Sequence, residues 1–320
     1  MWGWGAPPLT KAYFAMEIVW AIATLVLLIL ITIALPRVSS WSARGPYLLL
    51  IFVTLASIVT YVLGAISVRA TIDDIIRALQ LISATSFFGA VADVFLPTVV
   101  LYLLHLRGNV LRGVKGNAII PIASRLWKRI LDWSWAILTF LLHMVVLGYQ
   151  AAWRNNMLNS DVTMDQIHQF ININNSIIHG IVALKFLLCL NVFISLIVHF
   201  VQSKHAQARD PVTMRLLILA APFFLIYAIE SVAVDIIINV KTPAILDIDM
   251  LNLAGIIIHG ICRTVILIAL LTTMLFPNVQ WKAKKAGMPM EEGDISVQQQ
   301  QQKQWSTPTS SWTQPLYNQK

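Results

Sequence analysis

Seven apolar stretches separated by short polar connections fill this chain from about Lys11 to Phe276, and each is long enough to cross a bilayer as a helix of roughly 20 residues. No other feature constrains the fold as strongly. Backbone groups in hydrocarbon must bond to one another, which leaves only helices and closed barrels. A barrel needs strands of about 10 residues with alternating polarity, whereas these apolar runs are continuous and stop at turn or charge clusters. The sequence therefore predicts an all-α, polytopic seven-helix bundle. With 58% hydrophobic and 12% charged residues, the chain lies outside the range of soluble domains.

The spans fall near residues 11–35, 47–68, 79–106, 130–152, 176–201, 216–240 and 250–276. They divide the chain into a short outer N-terminus (1–10), a transmembrane domain (11–276) and a Gln/Ser/Thr-rich tail (277–320). The tail holds too little apolar surface to fold and is expected to be disordered and cytoplasmic. Trp305, Trp312 and Thr307-Pro308 are its candidates for partner contact or phosphorylation. The first apolar run is too long for a signal h-region, so it is expected to stay as an anchor. Pro36, Gly45-Pro46, Pro211 and Pro243 mark connections or their edges, where a missing backbone donor costs little.

Basic residues alternate between connections. Arg37 and Arg44, then Arg107, Arg112, Lys115, Arg125, Lys128 and Arg129, then Lys204, Arg209 and Arg215 lie on one side. On the other, Arg69 and Arg77 face Asp73 and Asp74, Arg154 faces Asp161 and Asp165, and Lys241 faces Asp247 and Asp249. The first set is expected in the cytoplasm, which puts the N-terminus outside and the C-terminus inside. Much of the net charge of +8 then serves orientation and attraction to anionic lipid, with no nucleic-acid partner implied. Trp127, Trp133, Trp135, Tyr149 and Trp153 flank the fourth span as expected interface anchors. Cys189 and Cys262 are the only cysteines and both lie inside spans, so neither a loop disulfide nor a thiolate metal cluster is expected. The sequon Asn174-Asn175-Ser176 abuts the fifth span and is not expected to be used.

Ionisable residues at bilayer depth are expensive, by about 2.5–3.5 kcal/mol each, and default to functional candidates. Asp93, Lys185, Glu230, Asp235 and Arg263 are such residues. Counted from the outer helix ends at about 1.5 Å per residue, Lys185 and Glu230 share one depth and Asp93 and Arg263 another. Two ion pairs follow as expectations, Lys185 with Glu230 and Asp93 with Arg263. Asn252 and His259 share a helix face with Arg263, Ser86 shares one with Asp93, and Tyr227 and Ser231 adjoin Glu230. These stripes, near Pro97 and Pro222, are expected to converge on an internal polar cavity. His143, His179 and His259 lie at different depths, which disfavours a metal site. The string Ile-Ile-His-Gly-Ile occurs at both 177–181 and 257–261.

The layout resembles the heptahelical receptor class: outer N-terminus, basic inner loops, and His105-Leu106-Arg107 where rhodopsin-like receptors carry an acidic-Arg-aromatic triplet. The resemblance is one of architecture. Position 105 is not acidic, the seventh span ends Leu275-Phe276-Pro277-Asn278 in place of Asn-Pro-x-x-Tyr, and the sixth lacks Cys-Trp-x-Pro. G-protein coupling is therefore not implied. Opsins carry their Schiff-base lysine where this chain has Arg263. Seven-span hydrolases of the adiponectin-receptor and ceramidase type carry a closing His-x-x-x-His, where here His259 is followed by Arg263. No enzyme and no cofactor are expected. The chain is also similar to fungal receptor-like and lipid-translocating seven-helix families, without a diagnostic motif.

The leading expectation is a receptor-like or sensor protein of a secretory-pathway, plasma or endomembrane. It would bind a small or lipidic ligand in an interhelical cavity and meet a cytoplasmic protein at its basic loops. The alternatives are a transporter or lipid translocator using the intramembrane carboxylates, and a scaffold whose charges only lock the bundle.

Overall fold

The computed structural model describes residues 8–38, 41–73, 75–112, 120–159, 162–206, 210–240 and 248–275. The expected tail, the first seven residues and the loop charges Asp74, Lys115, Asp161, Arg209, Lys241 and Asp247 lie outside them, as do the side chains of Arg69, Asp73, Arg77 and Asp249. Among the described residues the secondary structure is entirely helical, and seven helices are long and apolar enough to cross a membrane.

These are α1 (Pro8–Ala34), α2 (Trp41–Asp73), α3 (Ile75–Arg112), α4 (Leu126–Asn159), α5 (Met164–His205), α6 and α7 (Ile248–Met274). α6 is assembled from an α-turn (Pro211–Arg215), a π-turn (Leu216–Ala220) and a long α-helix (Ala221–Val240). The cause of the π-turn is legible locally. Pro222 has no N–H and its ring collides with the carbonyl four residues earlier, that of Ile218, at the middle of the widened turn.

Several helices outrun the apolar spans. The 42 residues of α5 extend to about 63 Å at 1.5 Å per residue, about twice a hydrocarbon core. Its start is set twelve residues before the apolar run by Thr163, whose hydroxyl accepts from the Gln166 N–H at 3.4 Å while the Gln166 side chain accepts from the Thr163 N–H at 3.0 Å, a capping box. Apolar spacing finds the segment that lipid can cover; capping chemistry sets where the helix begins. Tyr149 and Trp153 stack on Phe170 along this extension, the latter at 4.5 Å between ring centres. Trp153 and Tyr149 thus join α4 to α5, and Trp135 donates Nε1–H to the Leu184 carbonyl at 3.2 Å; Trp127 is 54% exposed.

α3 is the pillar of the bundle, with 67% of its most apolar window buried against 22% in α1 and α4. α2, α4 and α5 pack on α3, α1 bridges α2 and α7, and α6 lies between α5 and α7. The outward faces stay apolar: Ile22, Leu25, Ile29 and Ile33 of α1, and Leu138, Leu141 and Val145 of α4, are about half exposed. Such faces suit hydrocarbon contact. At Gly260 a Cβ would overlap the Trp20 indole, so glycine lets the ring lie directly on the α7 backbone.

Candidate functional site

Two polar clusters are built into this apolar frame. The first lies at the centre. Asp93 sits four residues before Pro97, whose ring displaces the Asp93 carbonyl from regular helix bonding. Its carboxylate accepts from Lys185 Nζ of α5 at 2.8 Å through Oδ2, and from Arg263 Nη2 of α7 at 2.6 Å through Oδ1. Lys185 also donates to the Tyr227 hydroxyl of α6 at 3.3 Å. The two cations lie over aromatic rings, Lys185 5.2 Å from the centre of Tyr227 and Arg263 5.4 Å from that of Tyr61, a contact that offsets part of their desolvation. One anion thus joins α3, α5 and α7, and two tyrosines draw in α2 and α6.

The expected pairing of Asp93 with Arg263 is present. That of Lys185 with Glu230 is not: Glu230 contacts His259 Nε2 of α7, and Lys185 turns to Asp93. Depth along the axis does not fix direction around it, and His259, one turn from Arg263, occupies the face that Glu230 meets. Asp235 accepts from His179 Nδ1 at 2.6 Å. The repeated pentapeptides thereby gain a shared geometry, since the histidine of each, one on α5 and one on α7, meets an α6 carboxylate. His143 bonds its own helix through the Thr139 carbonyl at 2.8 Å. Among the described residues no three His, Cys, Asp or Glu converge as a metal would require. Asn252 and Ser86 are exposed, so neither extends the central stripe.

The void beside Asp93, Tyr227 and Arg263 is about 10 Å³, at the lower limit for one water. The sequence also passed over Glu17, a carboxylate in the first apolar run that is only 4% exposed; an acidic residue in such a run was the available signal.

The second cluster lies at the end of the bundle that carries the basic connections, called here the basic end. Arg107 of α3 donates Nε–H to Asp210 Oδ1 at 3.0 Å, with Nη2 at 2.9 Å from the same oxygen. Asp210 Oδ2 accepts from the Thr213 hydroxyl at 2.6 Å and faces His199 Nε2 of α5 at 3.3 Å. Burial pushes the Asp210 carboxyl up, but the His199 contact, the Arg107 charge and the Thr213 bond together hold it well below the usual carboxylate range. This clasp joins the ends of α3 and α5 to the first turn of α6.

Beside it, Lys128 and Asp132 of α4 contact each other, and Lys128 Nζ and Asn191 Nδ2 of α5 each form a second bond, to Asn191 Oδ1 at 2.9 Å and Asp132 Oδ1 at 2.8 Å. His105 donates Nδ1–H to the Ala123 carbonyl at 2.6 Å and turns Nε2 toward Asp132 Oδ2 at 3.2 Å. Gly108 allows segment 122–124 to press on α3, since a Cβ there would lie 2.9 Å from the Ser124 nitrogen. These groups wall a cavity of about 170 Å³. The sequence reading placed Arg107 and Lys128 among loop charges, where they instead enter buried pairs with Asp210 and Asp132.

The chain matches no family model, no curated protein and no solved structure.

Proposed function

We propose that the chain is a receptor-like membrane sensor in which a ligand arriving from the end opposite the basic loops disturbs the central charges, and α6 carries the change to the basic end. The construction of α6 carries this reading. Its long segment bears Tyr227, Glu230 and Asp235, its first turn is gripped through Asp210, and between them lie the π-turn and Pro222. π-turns and prolines are where a helix bends. A change at Glu230 or Tyr227 therefore has one natural place to be absorbed, with the Arg107–Asp210 clasp on its far side.

The ligand side is suggested by exposure. His179 and His259 are 44% and 32% exposed, more than either cation bound to Asp93, so the couples with Asp235 and Glu230 are the first charges an incoming amphiphile would meet. By the distribution of lysine and arginine, the basic end faces the cytoplasm and offers its loops to an acidic protein surface.

The test is a thermal-stability screen of the purified protein against lipids, sterols and small amphiphiles, run on wild type and on Glu230→Gln, because a ligand of the folded state raises its apparent stability. A stabilising ligand lost in Glu230→Gln supports the sensor reading. Substrate-dependent flux in proteoliposomes, abolished by Glu230→Gln, would replace it with transport.

A further inference from the structure

The cavity at the basic end is separate from the central charges and has a chemistry of its own. We infer that it receives the hydroxyl headgroup of a neutral membrane lipid, entering from the side past Ile194. This inference stands whether or not the bundle signals.

Among the lining residues, which are otherwise largely apolar, His105, Asp132 and His199 carry buried polar atoms that lack hydrogen-bond partners. His105 commits its Nδ1 proton to the Ala123 carbonyl at 2.6 Å and turns Nε2 toward Asp132 Oδ2 at 3.2 Å. Neither atom has a hydrogen-bond partner among the described residues. His199 faces Asp210 with Nε2 at 3.3 Å; this side chain is 1% exposed, and neither of its ring nitrogens has a hydrogen-bond partner among the described residues. Buried polar atoms of this kind are costly until a partner reaches them. A hydroxyl group both donates and accepts without adding charge.

Neutrality follows from the pairing already present. Lys128 is matched by Asp132 and Arg107 by Asp210, so a charged headgroup would enter without a counter-ion, and an ammonium would lie beside Lys128. Size follows from volume: about 170 Å³ is close to the roughly 150 Å³ cavity that takes up benzene, a molecule with as many heavy atoms as glycerol. The lipid source follows from the mouth. Ile194 lines the cavity yet is 50% exposed, on a helix whose exposed apolar face suits acyl chains, so a headgroup can enter while its tails remain in the bilayer.

The test is photo-crosslinking with a diazirine-bearing diacylglycerol, using the full chain in phosphatidylcholine nanodiscs and mapping adducts by mass spectrometry. Adducts are expected in segments 120–132 and 190–200, displaced by unlabelled diacylglycerol or by a sterol. Phosphatidic acid and free glycerol should not displace them. His199→Gln keeps a hydrogen-bonding group toward Asp210 but removes the ring nitrogen Nδ1, and should weaken competition about tenfold, the effect of one lost hydrogen bond. Ser195→Leu fills the cavity and should abolish the adducts. Thermal melts of both variants identify any failure to fold, in which case wild-type competition decides alone. Adducts that unlabelled diacylglycerol and sterol both fail to displace, as when the cavity holds only water, would overturn the inference. So would equal displacement by free glycerol or phosphatidic acid, or labelling undiminished in both folded variants.

Discussion

Asp93 is one anion between two cations, and this asymmetry makes a sharp prediction. At an effective dielectric constant of about 20, contacts of 2.8 and 2.6 Å correspond to roughly 6 kcal/mol of attraction each, most of it offset by desolvation. Removing the shared anion by Asp93→Asn leaves Lys185 and Arg263 buried, facing one another without a counter-charge. Breaking a buried pair in this way costs about 3–5 kcal/mol. Lys185→Met removes only the surplus cation, leaves Asp93 with Arg263, and should cost less than about 1 kcal/mol because the thioether chain fills similar volume. In detergent, monitored by size-exclusion chromatography after heating, Asp93→Asn should melt on the order of 5–15 °C below wild type. Lys185→Met should stay close to wild type, and the double variant should recover part of the loss. Equal losses for the two single variants, or a wild-type melt for Asp93→Asn, would refute the reasoning.

Three further outcomes follow from local geometry. Gly260→Ala places a methyl group inside the Trp20 ring and should lower stability by about 1–3 kcal/mol; Trp20→Leu in the same chain should recover much of it in the same melt. Asp210 is held below its unfolded value of about 3.9, so the stability it contributes is present above that value and is lost as pH falls toward its folded value; a melt series below pH about 4 should show a shallower decline for Asp210→Asn than for wild type. Thr163→Ala removes the capping box and should cost about 1 kcal/mol locally, seen as faster hydrogen exchange in the first turn of α5 with little change in overall melting.

The seven long apolar helices were legible because a helix able to cross hydrocarbon needs a long apolar run, and that pattern is written residue by residue. Helix ends were less so: the apolar run of the fifth span begins near residue 176, while Thr163 and Gln166 start the helix. The Asp93–Arg263 contact was legible from matched depth. Lys185 was not assigned correctly, because its long side chain reaches Asp93 while Glu230 is taken by His259, a matter of direction around the helix. The basic-end clasp was hidden by a rule that works on average. Lysine and arginine near helix ends signal orientation, yet Arg107 and Lys128 also enter buried pairs, with side-chain exposures of 8% and 11%. Their partners Asp210 and Asp132 were the overlooked signal: carboxylates at the same end, one of them inside an apolar span.

The central claim, that the Asp93 cluster and the Arg107–Asp210 clasp are coupled through α6, is tested most directly by the distance between α3 and α6 at the basic end. Spin labels at Asn109 and Met214, both exposed, in a background with Cys189 and Cys262 replaced by alanine, report it by double electron–electron resonance. Measured well below each melting temperature, Asp93→Asn should shift or broaden the distribution in the same sense as Arg107→Ala, which opens the clasp directly. A distribution that moves in Arg107→Ala but coincides with wild type in Asp93→Asn would contradict the coupling.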